Sequence, residues 1–258
     1  MEQVRVGFAF CGSFCTYDQV MPALERAKAR YGAVTPIISE KSADTDTRFG
    51  AAHEFMREME RICDRRVIDS IQKAEPIGPQ KLLDVLVIAP CTGSTLARLA
   101  NGFSDTSVTM AAKAMWRNGR PVVLAVSTND GLSGSAKNIA TLLDKKNVYF
   151  VPYRQDDPVK KPTSLVADFT QINAAVDAAL EGMVSRLGDR WSYYLTAEEL
   201  EAQNQRRTNQ YVGVGITVNY TREEGLYILG VETGGPAEAA GLEAGEVITA
   251  VDGVSLAG

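Results

Sequence analysis

This 258-residue chain has one histidine, His53, two tryptophans and four cysteines, and its composition excludes several classes of function. With a single imidazole, a His-based metal set or a histidine-centred triad has almost nothing to draw on. The cysteines (Cys11, Cys15, Cys63, Cys91) all fall in the first 100 residues. The Cys11-x3-Cys15 pair lacks a second pair at zinc spacing, so no metal is expected. No apolar run approaches the roughly 20 residues of a membrane span. No basic, then apolar, then small-residue leader precedes Val4, so a cytoplasmic protein is expected, without structural disulfides. The net charge is −5 and the longest basic cluster is Lys160-Lys161, which gives nucleic acid no surface to bind.

What the chain does have is alternation. Apolar runs at Val4–Phe10, Val34–Ile38, Asp84–Ala89, Pro121–Ser127 and Val148–Pro152 read as strands. Between and after them, helical patterns fall near Tyr17–Tyr31, Gly50–Lys73, Ser94–Ala100, Thr106–Asn118, Ser133–Asp144 and Leu165–Val184. Strands apolar on both faces, separated by helices, predict a parallel sheet covered on both sides. After Val184 the character changes. A polar, aromatic connector leads to a charged helix over Ala197–Arg207, with Thr196 and Glu199 spaced as a capping box. Gly-punctuated strands follow at Tyr211–Tyr220, Leu226–Glu232 and Glu246–Val251, a helix-free, β-rich unit. Two domains are expected, 1–184 and 185–258.

The chemistry concentrates at strand ends. In open α/β sheets ligands sit beyond the carboxyl ends of the strands. Pro90-Cys91-Thr92-Gly93-Ser94-Thr95 carries a strand straight into a helix, with small side chains, hydroxyls and unpartnered N–H groups that suit an anion. Gly12-Ser13-Phe14-Cys15 follows the first strand, and Ser127-Thr128-Asn129 ends another. Taken singly, Gly12–Thr16 reads equally well as a plain turn and helix cap. Together the three loops predict one hollow, beyond Phe10, Ala89 and Leu124, able to seat a phosphorylated ring compound.

These residues also carry a resemblance. Pro90–Thr95, with Leu99-Ala100-Asn101-Gly102 and Asp105, resembles the Pro-Ala-Ser-Ala-Asn-Thr loop of the FMN-dependent cysteine decarboxylase family of flavoproteins. Within that group the chain is similar to the dipicolinate synthase B subunits, through 12–20, 45–50, 69–79, 110–132 and 146–169. The resemblance implies a flavodoxin/Rossmann-like sheet with helices on both faces, FMN near a boundary between protomers, and a homo-oligomer. It further implies a partner A subunit that binds NADPH, and oxidation of dihydrodipicolinate to dipicolinate during sporulation. In the decarboxylases an Asn stands at the position of Ser94, and a catalytic His precedes the strand at Asp84–Ala89. Here 73–79 holds no His, which leaves decarboxylation as an alternative without its acid/base group. Glu75 and Asp130 are the carboxylates available for proton handling. Arg98 and Lys113, with Lys73 and Lys137, are the cations available for a dicarboxylate substrate, bidentate pairing favouring Arg.

The tail resembles something else. Gly188–Thr196 is similar to the entry segment of C-terminal-processing serine proteases, and Gly213-Val214-Gly215-Ile216 to their PDZ carboxylate-binding loop. Gly235–Leu242, Gly245–Ile248 and Val251-Asp252-Gly253 resemble the body of a PDZ domain. The chain is expected to stop inside that domain, before its groove helix and before any Ser/Lys catalytic domain. It therefore reads as a fusion with a truncated, incomplete PDZ-like module. Peptide binding is the alternative function, and proteolysis is not expected.

Overall fold

The apolar runs become neighbouring strands because each one buries both of its faces. The structure is a computed structural model, and it describes residues 3–185, 193–207, 213–222 and 225–256. Two units separate by their internal contacts, Met1–Thr196 and Ala197–Gly258.

The first unit starts with β1 (Arg5–Phe10), α1 (Tyr17–Tyr31) and β2 (Ala33–Ile38). Short α2 (Glu40–Ala43), α3 (Ala52–Cys63) and short α4 (Ile71–Ala74) lead to β3 (Val85–Cys91). Next come α5 (Gly93–Ala100), α6 (Ser107–Arg117), β4 (Val122–Thr128), α7 (Ala136–Leu143) and β5 (Val148–Phe150). A hairpin of β6 (Tyr153–Asp157) and β7 (Lys161–Ala167) precedes α8 (Ile172–Ser185). The sheet runs β2-β1-β3-β4-β7-β6, with β5 also on β4. Pairs among β1 to β5 are parallel, whereas β7 is antiparallel to both β4 and β6.

Side-chain alternation along the central strands feeds two cores. Phe8, Val87 and Val123 point toward α1, α3 and α8. Leu86, Ile88 and Leu124 point toward α5, α6 and α7. The register slips between Ile88 and Cys91, at the cis Ala89–Pro90 peptide, and Cys91 joins the second core.

Two helical patterns are shorter than the periodicity predicts. The segment expected over Gly50–Lys73 breaks at Asp64, which takes a left-handed φ of 52°. Beyond it Ile68 exchanges backbone hydrogen bonds with β2, donating to Pro36 O and accepting from Ile38 N. The pattern expected over Leu165–Val184 divides into β7 and α8. Leu165 and Val166 lie opposite Thr128 and Ser127 on β4, and this long-range pairing overrides the local signal. Asp168 then accepts from Thr170 N and starts the turn into α8.

At the amino ends of the central strands β1 and β3, Asp84 accepts from Arg5 N, Nε and Nη2 at 2.9–3.0 Å and from Arg120 Nη1 at 2.5 Å. Burial by itself would raise the carboxyl's pKa, but the Arg5 and Arg120 bonds outweigh it and hold the group below the usual carboxylate range. A depressed folded pKa contributes stability above the unfolded value and loses it as pH falls through the folded one. Asp84→Asn should therefore cost about 1–2 kcal/mol at pH 7, the half-exposed Arg5 screening part of the gain. That difference should shrink below about pH 4. Urea midpoints of both proteins at pH 7 and pH 3 test this, and a pH-independent gap would contradict it.

The second unit holds the charged helix α9 (Ala197–Arg207) on its expected span, then β8 (Ile216–Arg222) and β9 (Gly225–Val231). Short α10 (Pro236–Ala239), β10 (Val247–Ile248), β11 (Ala250–Val251) and β12 (Val254–Ser255) complete it. One antiparallel sheet runs β10-β9-β8, and β11 pairs with β12. The unit is not helix-free: Pro236 presets the first turn of α10, and Gly241 closes beyond it at φ +81°. Residues 186–192 and 211–212, which carry part of the connector and the expected start of β8, lie outside the described residues. Residues 193–196 stay with the first unit, where Tyr194 donates to Asp177 at 2.9 Å.

Candidate functional site

The three strand-end loops converge. Two adjoining cavities open at the carboxyl ends of β1, β3 and β4, and Gly12, Thr92 and Ser94 belong to the walls of both. The larger, about 680 Å³, adds Phe14, Thr95, Arg98 and Asp105 together with Ser39, Glu40, Lys41 and Ser42 from the end of β2. The smaller, about 540 Å³, adds Ser13, Cys15, Gly93, Ser127, Thr128, Asn129 and Asp130. Both volumes lie in the range of small-molecule and cofactor sites, about 300–1,000 Å³.

The walls are tied together by hydroxyls. Ser13 Oγ and Ser127 Oγ lie 2.8 Å apart and join the first loop to the third. Thr92 caps α5, its Oγ1 accepting from Thr95 N at 3.3 Å. In the first turn, Gly93 and Ser94 present N–H groups with no intrahelical acceptor. A Cβ on Gly93 would lie 2.7–2.8 Å from Ser135 Oγ, Asp130 Oδ1 and Thr128 Oγ1, so any side chain there must displace those atoms. Bare backbone N–H groups at a helix start, ringed by hydroxyls, fit a phosphate.

Asp130 organises the third loop. Its Oδ1 accepts from Thr128 Oγ1 at 2.5 Å and from Ser135 Oγ at 2.9 Å. The Thr128 bond, with Ser135 behind it, holds the carboxyl below the usual range, so it is ionised at neutral pH. Glu40 accepts from Ser107 N at 2.9 and 3.1 Å and thereby caps α6. Arg98 Nε donates to Asp105 and its Nη1 to Ser94 O, which sets the guanidinium on the rim of the larger cavity.

Not all expected residues are brought to the hollow. Pro90 and Cys91 lie within β3, and Cys91 is fully buried. Burial raises the Cys91 thiol well above its usual range and pushes Cys11 up to about 11. Glu75, exposed in a 3-10 turn, lines neither cavity. Lys113 lines neither one and donates to Ser104 instead. His53 is exposed on α3 and likewise lines neither. Sequence reading missed Ser39, Glu40 and Ser42, although the end of β2 was available to the same strand-end logic. It also missed Arg154, Asp156 and Lys161, which enter the smaller cavity from the β6–β7 hairpin and carry no local signal.

Comparison with known proteins agrees with this architecture. The Flavoprotein family model matches residues 1–181. The chain belongs to the Flavoprotein family. The dipicolinate synthase B subunit of Bacillus subtilis (strain 168) is 44% identical over 176 residues, 68% of this chain and 88% of that protein. The crystal structure of the dipicolinate synthase B subunit from Bacillus halodurans C is similar to this flavoprotein with a TM-score of 0.64 at 44% identity. The match covers 70% of this chain and 94% of that one. The FMN-dependent cysteine decarboxylase SpaF shares the fold, with a TM-score of 0.50 at 21% identity over 69% of this chain and 97% of that one. At the other end of the flavoprotein a PDZ domain model matches 227–258. A probable CtpA-like serine protease of Staphylococcus aureus (strain COL) is 32% identical over 138 residues, 53% of this chain and 26% of the protease. The chain thus spans about a quarter of that protease's length. No helix of the described residues is long and apolar enough to cross a membrane. Among the same residues no cluster of three or more His, Cys, Asp or Glu could hold a metal.

Proposed function

We propose that this flavoprotein seats FMN in the hollow and acts as the B-type component of dipicolinate synthase, oxidising dihydrodipicolinate to dipicolinate with an NADPH-binding A subunit. The observation that carries the proposal is the cradle at Gly93, where a helix start, three hydroxyl-bearing loops and a position crowded by side-chain oxygens coincide. The 44% identity to the Bacillus subtilis protein supports the choice of reaction. Bound FMN supplies a ring able to accept a hydride. Gly93 and Ser94 N–H groups, with Ser13 and Thr92 hydroxyls, are the assigned phosphate holders. Phe14, Cys15, Thr95, Ser127, Thr128 and Asn129 line the remaining walls. Aromatisation of the substrate releases a hydride and a proton, and we assign the proton-accepting role to Asp130 from its place in the wall of the smaller cavity. Glu75 and Lys113 receive no role. We further assign the chain a homo-oligomeric state and a cytoplasmic setting. Decarboxylation of a cysteine peptide is not adopted, because 73–79 lacks a histidine and His53 lies outside both cavities.

Titrating the full chain with FMN, followed by flavin absorption and fluorescence quenching, should give a yellow one-to-one complex. Adding the NADPH-binding partner should switch on NADP-linked oxidation of dihydrodipicolinate, with neither protein active alone. A chain that stays colourless would end the flavin reading, and partner activity unchanged by this chain would end the two-component reading.

For the second unit we infer peptide binding along β8, a strand whose outer edge is unpaired among the described residues. Gly213–Thr217 and Gly230–Glu232 line a concavity of about 810 Å³ there. An added peptide strand would hydrogen-bond to that edge. Peptides with a free terminal carboxylate should bind better than amidated ones, and Gly215→Trp should abolish the difference. Equal binding of both peptides would refute it.

A further inference from the structure

The smaller cavity has a charge balance that the loops alone do not explain. Among the described residues, its cations are Arg154 on β6 and Lys161 on β7. Lys161 is committed to Asp156, with Nζ 2.6 Å from Oδ2. Asp130 is the other acid of the wall; Thr128 and Ser135 hydroxyls hold its Oδ1, and its charge balances that of Arg154. The charge of Arg154 is felt at a distance by Asp168, but its guanidinium makes no ion pair or hydrogen bond among the described residues and so keeps its donors for a ligand.

The sheet register sets where that charge stands. Arg154 lies opposite Val166, and Val166 lies opposite Ser127. Residues directly opposite on antiparallel strands project from the same face. Ser127, Val166 and Arg154 thus form one row on the face where Ser127 meets Ser13. The guanidinium and the helix-start N–H groups of Gly93 and Ser94 then border the same space. The larger cavity lies on the other side of the shared Gly12, Thr92 and Ser94 wall.

We infer that the part of the smaller cavity beside the β6–β7 hairpin, next to the flavin-binding loops, takes the dicarboxylate and that Arg154 pairs with one of its carboxylates. This assignment rests on the proposed function above and moves carboxylate recognition from Arg98, which is paired to Asp105, to the hairpin. A guanidinium offers two parallel N–H donors that match a planar carboxylate, and a lysine offers only a point charge. An aromatic 2,6-dicarboxylate is rigid, so one such clamp orients the whole ring toward the shared wall.

The test uses the full chain and pyridine-2,6-dicarboxylate as the probe, in metal-free buffer, by calorimetry with and without FMN. FMN binding is measured separately by fluorescence. Arg154→Gln should weaken dicarboxylate binding by about tenfold to a hundredfold, while FMN affinity stays within about twofold. Arg154→Lys should recover part of the loss, and Arg98→Gln should change dicarboxylate binding much less. Equal binding of the probe by the wild type and Arg154→Gln overturns the inference, as does no binding to the wild type with FMN in place. Failure of FMN to bind at all instead removes the flavin reading. That result leaves the Arg154 comparison, measured without FMN, to decide the anion compartment by itself.

Discussion

Gly93→Val should abolish flavin uptake, reducing FMN affinity by about a hundredfold or more, roughly 3 kcal/mol. The first added carbon already falls inside contact distance of Ser135 Oγ, Asp130 Oδ1 and Thr128 Oγ1. The two hydroxyls are hydrogen-bonded to Asp130 Oδ1, so moving any of the three strains the bonds that shape the third loop. The branched side chain would also cover the N–H groups of the first turn of α5. Overpacking of this kind costs about 1–3 kcal/mol of stability as well. Flavin fluorescence titration and thermal unfolding, run on the same protein, separate the two effects. A Gly93→Val protein that binds FMN like the wild type would show that the phosphate sits elsewhere.

Tyr17→Ala should be the most damaging single change in the core near the site, at about 3–5 kcal/mol. Tyr17 is 1% exposed, and its ring contacts Phe10 at 5.3 Å, Phe14 at 5.4 Å and Phe55 at 4.9 Å between centroids. Its hydroxyl donates to Cys11 O at 2.9 Å, the carbonyl from which the first loop departs. Burial raises the phenol above its usual range, so it is a protonated donor at neutral pH. The truncation would leave a cavity, release Phe14 from its support and remove one of the two hydrogen bonds to Cys11 O, which keeps Ser13 N. Thermal unfolding should fall by roughly 10 °C for a unit of this size. Tyr17→Phe keeps the packing and should lose only about 1 kcal/mol, the share of one hydrogen bond. Equal losses in both variants would mean that the hydrogen bond, not the aromatic cluster, supports the loop.

Several features of the site were legible from local pattern because their causes are local. Val85–Cys91 is apolar at every position, which needs cover on both faces and so a place inside a parallel sheet. Thr92, followed by small residues, marks a helix start whichever strand precedes it. Strand ends carry ligands in this architecture, so Ser13, Thr92 and Ser127 could be grouped before their distances were known. The same rule applied to Ile38 would have found Ser39.

Other features had no local cause. Leu165 and Val166 read as the beginning of a helix, and they belong to a strand only because the end of β4 supplies antiparallel partners. Arg154 and Lys161 look like ordinary surface charge in a polar stretch. Conversely, Glu75 lies in a segment that matches the family resemblance, yet the backbone turns it outward.

Residue order by itself determined that this chain would form a doubly covered sheet, with polar, glycine-bearing turns at its carboxyl edge. Periodicity records how much surface each segment must hide, and that requirement is met locally. The tertiary structure decided which charges face the hollow. Opposite strands are chosen by pairings between residues far apart in the chain, and one step of register moves a side chain to the other face. Arg154 therefore stands in the row of Ser127, one strand beyond Val166, while Lys113 turns to Ser104 and leaves the site.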